Sequence, residues 1–156
     1  MADEPRHWDP DGRDELYSDL GHPADVFVEI WGEDLPKLFE NALFTLYDQL
    51  AELQGFGTGR EETITVTGPG AEDALRSLLS EALYLFETEG FVAARADVDV
   101  ETMSTNEVQV TAHLDGETLD RARHTLLSEV KAVTYHQLTV ERAPEGGWRA
   151  TVLFDV

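Results

Sequence analysis

Apolar residues recur at steps of three and four in two segments of the chain, and this spacing predicts two amphipathic helices. The first stripe starts at Leu35, with Asp34 placed to cap the helix, and it stops before the glycine-rich segment 55–59. The second stripe covers residues 71–88 and is followed by Gly90, a common residue at the end of a helix. Both helices therefore fall in the first 90 residues.

The rest of the chain shows mostly period-2 alternation, which is typical of strands with one buried face. The predicted strands are residues 25–31, 62–67, 91–101, 106–114, 129–142 and 148–154. Asp115 and Gly116 predict a turn after the fourth of them. Two early helices followed by a run of consecutive strands predict an α+β fold: a largely antiparallel β-sheet structure with two amphipathic helices packed on it.

The first residues of the chain differ from the rest. Residues 1–20 hold seven acidic residues, two arginines and two prolines, without a sustained apolar period. We therefore expect residues 1–16 to form an acidic mobile tail and residues 17–156 to form a single domain. A length of 156 residues fits one domain.

The charge balance limits the partners that the chain can bind. It has 32 acidic against 11 basic residues, a net charge of −21, and its only lysines are Lys37 and Lys131. This balance argues against extensive direct binding of RNA or DNA, because such binding depends on many lysine and arginine contacts to phosphates. Acid excess with few lysines also favours a halophilic source, where salt screens the self-repulsion, and the acidic surface favours a monomer.

Several classes of protein are excluded by what the sequence lacks. Cysteine is absent, so disulfide scaffolds, cysteine-ligated metals and thiol catalysis do not apply. No apolar run reaches the ~18 residues of a membrane helix, and the acidic beginning does not resemble a signal peptide. We expect a cytoplasmic protein without membrane association.

Two histidines fall in informative positions. On the predicted strand 129–142, Thr134 and His136 interrupt an apolar row, so His136 is expected to be buried and hydrogen-bonded. It is either a core histidine or part of a polar pocket with Thr134 and Tyr135. His124 lies in a connection between strands, where a structural hydrogen bond is the simplest interpretation.

The last two residues bring carboxylates close together. The side chain of Asp155 and the terminal carboxylate of Val156 are one residue apart, and both offer oxygens of the kind that Ca²⁺ and Mg²⁺ prefer. The carboxylates of an acidic chain terminus are commonly exposed to solvent without binding a metal. A third carboxylate alongside would favour a metal site, and Asp25, at the start of the first predicted strand, is a candidate.

Four segments resemble one known family. YSDLGHPADV (17–26), EALYLFETEGF (81–91), EVKAVTYH (129–136) and the terminal FDV are similar, in order, to motifs of the archease family. The chain departs from the family pattern at Pro23, where threonine is usual, and at Gly21, where glutamate is common.

This resemblance implies an archease-like fold and a role as a helper rather than as an enzyme. Archeases assist the RNA-splicing ligase of the RtcB type in tRNA splicing, promoting its GTP- and Mn²⁺-dependent guanylylation and its multiple turnover. The resemblance also implies a divalent ion, Ca²⁺ with Mg²⁺ or Mn²⁺ as alternatives, held by Asp25, Asp155 and Val156. Tyr135 and His136 would then lie around these ligands.

Two other functions stay open at the level of sequence. A phosphoester hydrolase could use the carboxylate cluster and a metal-bound water, with His136 as acid or base. A general chaperone would need a sizeable exposed apolar patch instead.

Overall fold

The two predicted helices are present in the computed structural model, which describes residues 8–20 and 25–156. Helix α1 is Leu35–Leu50, and the side chain of Asp34 caps it by accepting a hydrogen bond of 2.8 Å from the Lys37 N–H. Helix α2 is Ala71–Glu89, and Gly90 ends it in the left-handed conformation with φ of 70°. None of the described helices has the length and apolar content needed to cross a bilayer.

Eight strands form two antiparallel sheets in the described part of the chain. They are β1 (Tyr17–Asp19), β2 (Asp25–Gly32), β3 (Arg60–Gly68), β4 (Phe91–Thr102), β5 (Val108–Thr118), β6 (Ala132–Val133), β7 (Thr139–Arg142) and β8 (Trp148–Asp155). One sheet has the order β1-β2-β8-β6, with β7 also paired to β8, and the other has the order β3-β5-β4. The predicted α+β class is confirmed.

The core lies where the two helices meet both sheets. Helix α1 packs on β2 and β4, and helix α2 packs on β3, β5 and β6, so each helix contacts both sheets. Alternate residues of β2 and β8 supply one side of this core, namely Val28, Ile30, Ala150, Val152 and Phe154. The intervening residues of these two strands belong to the opposite face of the sheet.

The predicted turn at Asp115 and Gly116 is wrong, because β5 continues through both residues to Thr118. Gly116 pairs with Ala93 on β4, beside a shift of register. A Cβ atom at Gly116 would collide with the backbone carbonyl oxygen of Val92. The glycine therefore allows two strands to approach closely instead of reversing the chain.

The predicted continuous strand 129–142 is also wrong. Only Ala132–Val133 and Thr139–Arg142 are strands, and both pair with β8. Val133 faces Phe154 and Thr139 faces Thr151, so five residues, 134–138, lie opposite only two residues of β8. The surplus residues leave the ladder as a loop, here called the 134–138 loop.

Part of the expected tail lies against α1. Pro10–Glu15 is a 3₁₀ helix, and the ring centroid of Trp8 is 5.5 Å from that of Phe44. Arg13 donates to the carboxylate of Asp48 at 2.8 and 3.0 Å. These contacts were not expected from the composition of residues 1–16. The domain boundary at residue 17 stays a prediction.

Candidate functional site

Asp25 and Asp155 meet at the end of the ladder between β2 and β8. The two strands are antiparallel and pair residue by residue, from Asp25 opposite Asp155 to Gly32 opposite Trp148. Side chains of directly opposed residues lie on the same face, with Cβ atoms about 4.5–5.5 Å apart. The start of β2 and the end of β8 therefore lie side by side, as a site shared by Asp25 and Asp155 requires.

The outer face of the sheet carries this pair. Asp25 is two residues from Phe27 and three from the fully buried Val28, so it belongs to the face opposite the core. Asp155 is exposed, whereas its neighbour Phe154 is fully buried. The two carboxylates therefore lie at an accessible sheet end, directly outside a rigid, packed ladder.

Strand β6 holds the end of β8 from its other side. Ala132 is paired with Asp155, and the N–H of Lys131 donates to the backbone carbonyl of Asp155 at 2.7 Å. Val156 follows with 38% of its surface exposed. Asp155 is thus fixed between two strands, which limits the positions that its side chain and the oxygens of Val156 can adopt.

The donor set at this sheet end fits a hard divalent cation in its chemistry. Two carboxylates on adjacent strands repel each other, and a cation bound between them would remove that repulsion. Across residues 8–20 and 25–156, no group of three His, Cys, Asp or Glu side chains is placed to hold a metal. A site at Asp25 and Asp155 therefore depends on an oxygen of another kind, and Val156 is the residue predicted to supply it.

The 134–138 loop lies on the other side of β8 from β2, between the residues that pair with Phe154 and Thr151. Thr134 Oγ1 accepts a hydrogen bond of 3.2 Å from the N–H of His136, and Gln137 has a left-handed φ of 57°. A threonine that bonds the backbone two residues on forms a local turn, which competes with strand pairing. Tyr135 is 60% exposed as a result, and His136 is exposed too.

The burial predicted for His136 is therefore wrong. That prediction assumed that period-2 alternation continues through residues 134–138, whereas the turn at Thr134 removes them from the sheet. His136 is neither a core histidine nor the wall of a buried pocket. It lies on the surface, in the same turn as Tyr135.

Arg76 of α2 fixes this loop, and the sequence analysis missed it. Its Nε donates to the backbone carbonyl of Val133 at 3.0 Å, and its guanidinium carbon lies 4.0 Å from the ring centroid of Tyr135. The stacking holds an otherwise exposed aromatic ring in one position. Arg76 is the only basic residue of α2, but the local pattern does not show its role, because its partners are 57 and 59 residues away in sequence.

His124 has the structural role that we expected. It is buried, its Nδ1 accepts from the N–H of Asp120 at 2.9 Å, and its ring stacks on Phe56 with a centroid distance of 3.7 Å. Gly21 and Pro23, the two departures from the family pattern, lie outside the described residues.

Comparisons with known proteins agree with the resemblance carried by the motifs. The model of the Archease protein family matches residues 17–156. Protein archease of Methanosarcina mazei is 33% identical over 140 residues, covering 90% of this chain and 95% of that protein. Protein archease of Archaeoglobus fulgidus is 35% identical, covering 90% and 98%.

A solved structure shows the same fold. The solution structure of Methanobacterium thermoautotrophicum protein 1598 superposes with a TM-score of 0.77, covering 90% of this chain and 98% of that one. The two sequences are 23% identical. The arrangement of strands and helices described above is therefore shared with an experimentally determined protein.

Proposed function

The chain belongs to the archease family, and we propose that it is a non-catalytic activator of an RtcB-type RNA-splicing ligase that acts through a bound divalent ion. Membership of the family supports an accessory role in RNA processing. The ligase, the ion and the absence of catalysis are the parts that we add.

The single observation that carries the proposal is the pairing of Asp25 with Asp155. These residues lie 130 positions apart in sequence, yet they occupy opposed places at one sheet end. Asp25, Asp155 and Val156 would hold the ion, Ca²⁺ in the first instance. Bound there, the ion would supply a fixed positive charge on an otherwise acidic surface.

The residues around the pair have their own part in the proposed function. The 134–138 loop presents Tyr135 and His136 to solvent near the strand end that carries Asp155. An exposed aromatic ring held by Arg76 is a suitable contact for a protein partner. We therefore propose that the ligase docks on the surface formed by Asp25, Asp155 and the 134–138 loop.

Charge complementarity supports a protein partner rather than RNA. A chain with a net charge of −21 is repelled by phosphate backbones and attracted to basic, RNA-binding surfaces. In the described residues, Asp48 is the only acidic residue that is buried. We further propose that the protein acts as a monomer in the cytoplasm.

The test uses the ligase from the same source, with GTP and Mn²⁺, and measures ligase guanylylation and multiple turnover with and without this protein. Asp25→Asn and Asp155→Asn should each abolish most of the stimulation. Asp99→Asn, an exposed aspartate of the other sheet, is the matched control and should stimulate like the parent. Equal stimulation by all three variants would show that the carboxylate pair plays no part.

The same preparation tests the other two functions. Turnover of a phosphoester by the isolated protein, lost in Asp155→Asn, would identify a hydrolase and contradict the non-catalytic role. Suppression of the aggregation of an unrelated protein, unaffected by Asp155→Asn and accompanied by no effect on guanylylation, would identify a general chaperone instead.

A further inference from the structure

Strand β3 forms one edge of the three-stranded sheet, whose order is β3-β5-β4. It pairs with β5 without interruption, from Arg60 opposite Gly116 to Gly68 opposite Val108. No described strand pairs with its other side, and the described elements in extensive contact with β3 are β5 and helix α2. One whole side of this nine-residue strand is therefore open to a further strand.

The hydrogen-bond pattern shows which backbone groups point out of this side. Residues of an antiparallel strand bond alternately to the neighbour on one side and to the neighbour on the other. Beyond the last pair of β4 and β5, the N–H of Met103 donates to the carbonyl of Glu107 at 2.7 Å, which fixes the alternation. Odd-numbered residues of β5 therefore bond to β4, and even-numbered ones bond to β3. The residues of β3 whose N–H and C=O groups point outward are then Glu61, Thr63, Thr65 and Thr67.

These four residues, here called the β3 edge, are accessible. All of them are exposed, and their side chains lie on the face of the sheet opposite the core. Their backbone groups make no hydrogen bond to any other segment of the described chain. The β3 edge thus presents a row of N–H and C=O groups that an added strand can satisfy.

The other sheet edges in the described chain are short or covered by side chains. Strands β1 and β6 have three and two residues. On β7 the N–H of Val140 donates to the carboxylate of Glu72 at 3.3 Å, and on β4 the N–H of Val98 faces the carboxylate of Glu40. Proteins protect their edges in such ways, or with lysine, proline or a bulge. Strand β3 has none of these three devices.

The side chains around the β3 edge indicate the kind of segment that fits. Directly opposed residues share a face, so an added strand would place alternate side chains beside the threonines and beside Val66. Val66 packs against the core but is only partly buried, which suits an apolar neighbour. Glu61 is exposed and has no ion-pair partner in the described residues, which suits a basic neighbour. A second copy is disfavoured, because each chain carries a net charge of −21.

We propose that the β3 edge binds an extended, basic segment of a partner protein, which adds to the sheet as an antiparallel fourth strand. The backbones exchange hydrogen bonds along residues 61–67, an apolar side chain of the segment covers Val66, and a basic one pairs with Glu61. Main-chain bonds supply affinity in this mode of recognition, and the alternate side chains supply specificity. The site depends neither on the ion at Asp25 and Asp155 nor on the identity of the ligase.

Amide NMR of the isotope-labelled, full-length protein tests this site. The probe is a blocked heptapeptide, Lys-Val-Thr-Val-Thr-Val-Lys, whose last lysine would lie opposite Glu61. We expect saturable shifts of the amide signals of Thr63, Thr65 and Thr67, and slower hydrogen exchange at these amides with the peptide bound. The control peptide is N-methylated at both threonines, so it keeps the charge and loses two N–H groups that face β3. It should bind at least about tenfold more weakly.

Two kinds of variant test the protein's side of the contact. Thr65→Pro removes one outward N–H without removing a bond to β5, and it should weaken binding at least about tenfold. Glu61→Gln, which leaves the backbone intact, should weaken binding about threefold. Glu101→Gln removes the same charge from an exposed residue of β4 on the same face, and it should bind like the parent.

Equal binding of the methylated peptide would overturn the proposal, because charge alone would then attract the probe. Equal weakening by Glu61→Gln and Glu101→Gln would overturn it for the same reason. Slow exchange of the Thr63 and Thr65 amides without peptide, becoming fast on dilution, would place a second copy on the β3 edge and would also contradict it.

Discussion

Asp25 and Asp155 are directly opposed across the antiparallel ladder of β2 and β8, with the rest of both strands paired in register behind them. This relationship links the two ends of the domain, and it is set by the hydrogen-bonded strands rather than by a loop. Like charges at directly opposed positions of a ladder repel each other, and a cation bound between them would offset that repulsion.

The opposed charges predict an effect of Asp155→Asn that depends on calcium. In EDTA the variant should be as stable as the parent or more stable by about 0.2–1 kcal/mol, because a like-charge repulsion is removed. In Ca²⁺ at one hundred times its dissociation constant, the parent should gain about 2.7 kcal/mol and the variant should gain little. Urea denaturation measures both free energies of unfolding. A gain of equal size in parent and variant would place the calcium elsewhere.

Tyr17 predicts a loss of stability at high pH. Burial, together with its hydrogen bond of 2.7 Å to the carboxylate of Asp48, raises the pKa of Tyr17 well above its usual value. The unfolded chain then releases the phenolic proton near pH 10 while the folded chain keeps it, so this contribution is complete below pH 10 and is lost as the pH rises further. Above pH 10 the free energy of unfolding should therefore fall by about 1.4 kcal/mol per pH unit for one tyrosine.

Tyr17→Phe should reduce that slope, which is measured by urea denaturation between pH 9 and 11. Tyr84→Phe is the matched control, because it removes the same hydroxyl group from a tyrosine that is 64% exposed. An unchanged slope in Tyr17→Phe would show that Tyr17 is solvated in the folded protein, contrary to its bond with Asp48.

The exposed ring of Tyr135 predicts a loss of function without a large loss of stability. Tyr135→Ala removes a stacking contact with Arg76 that is worth about 0.5–1 kcal/mol at an exposed site. If the 134–138 loop is a docking contact, the Tyr135→Ala variant should stimulate the ligase severalfold less than the parent. Tyr84→Ala removes an equally exposed tyrosine from α2 and should keep full stimulation. Equal activity of the two variants would remove the loop from the docking surface.

Most elements of the fold could be predicted because their patterns are long and regular. The stripe from Leu35 and the cap at Asp34 define α1, and the predicted strand 148–154 differs from β8 by one residue. The resemblance to archeases implied that Asp25 and Asp155 share a site, and the antiparallel pairing of β2 with β8 brings the start of one strand to the end of the other.

Other features depend on contacts that a local pattern does not contain. Thr134 turns the chain out of the ladder through one side-chain hydrogen bond, although residues 129–142 alternate as a strand would. In the sequence Gly116 is typical of a turn. In the structure it lies within a strand, where the close approach of β4 leaves no room for a side chain. The contact between the rings of Trp8 and Phe44 joins the start of the described chain to α1, and no spacing in the sequence signals it.

The most direct test of the central claim is calorimetric titration of the metal-free, full-length protein with Ca²⁺. We expect one ion to bind per chain, binding to be lost or weakened at least about tenfold in Asp25→Asn and in Asp155→Asn, and Asp99→Asn to bind like the parent. Binding of the same stoichiometry and affinity in all four proteins would contradict the claim that Asp25 and Asp155 hold the ion.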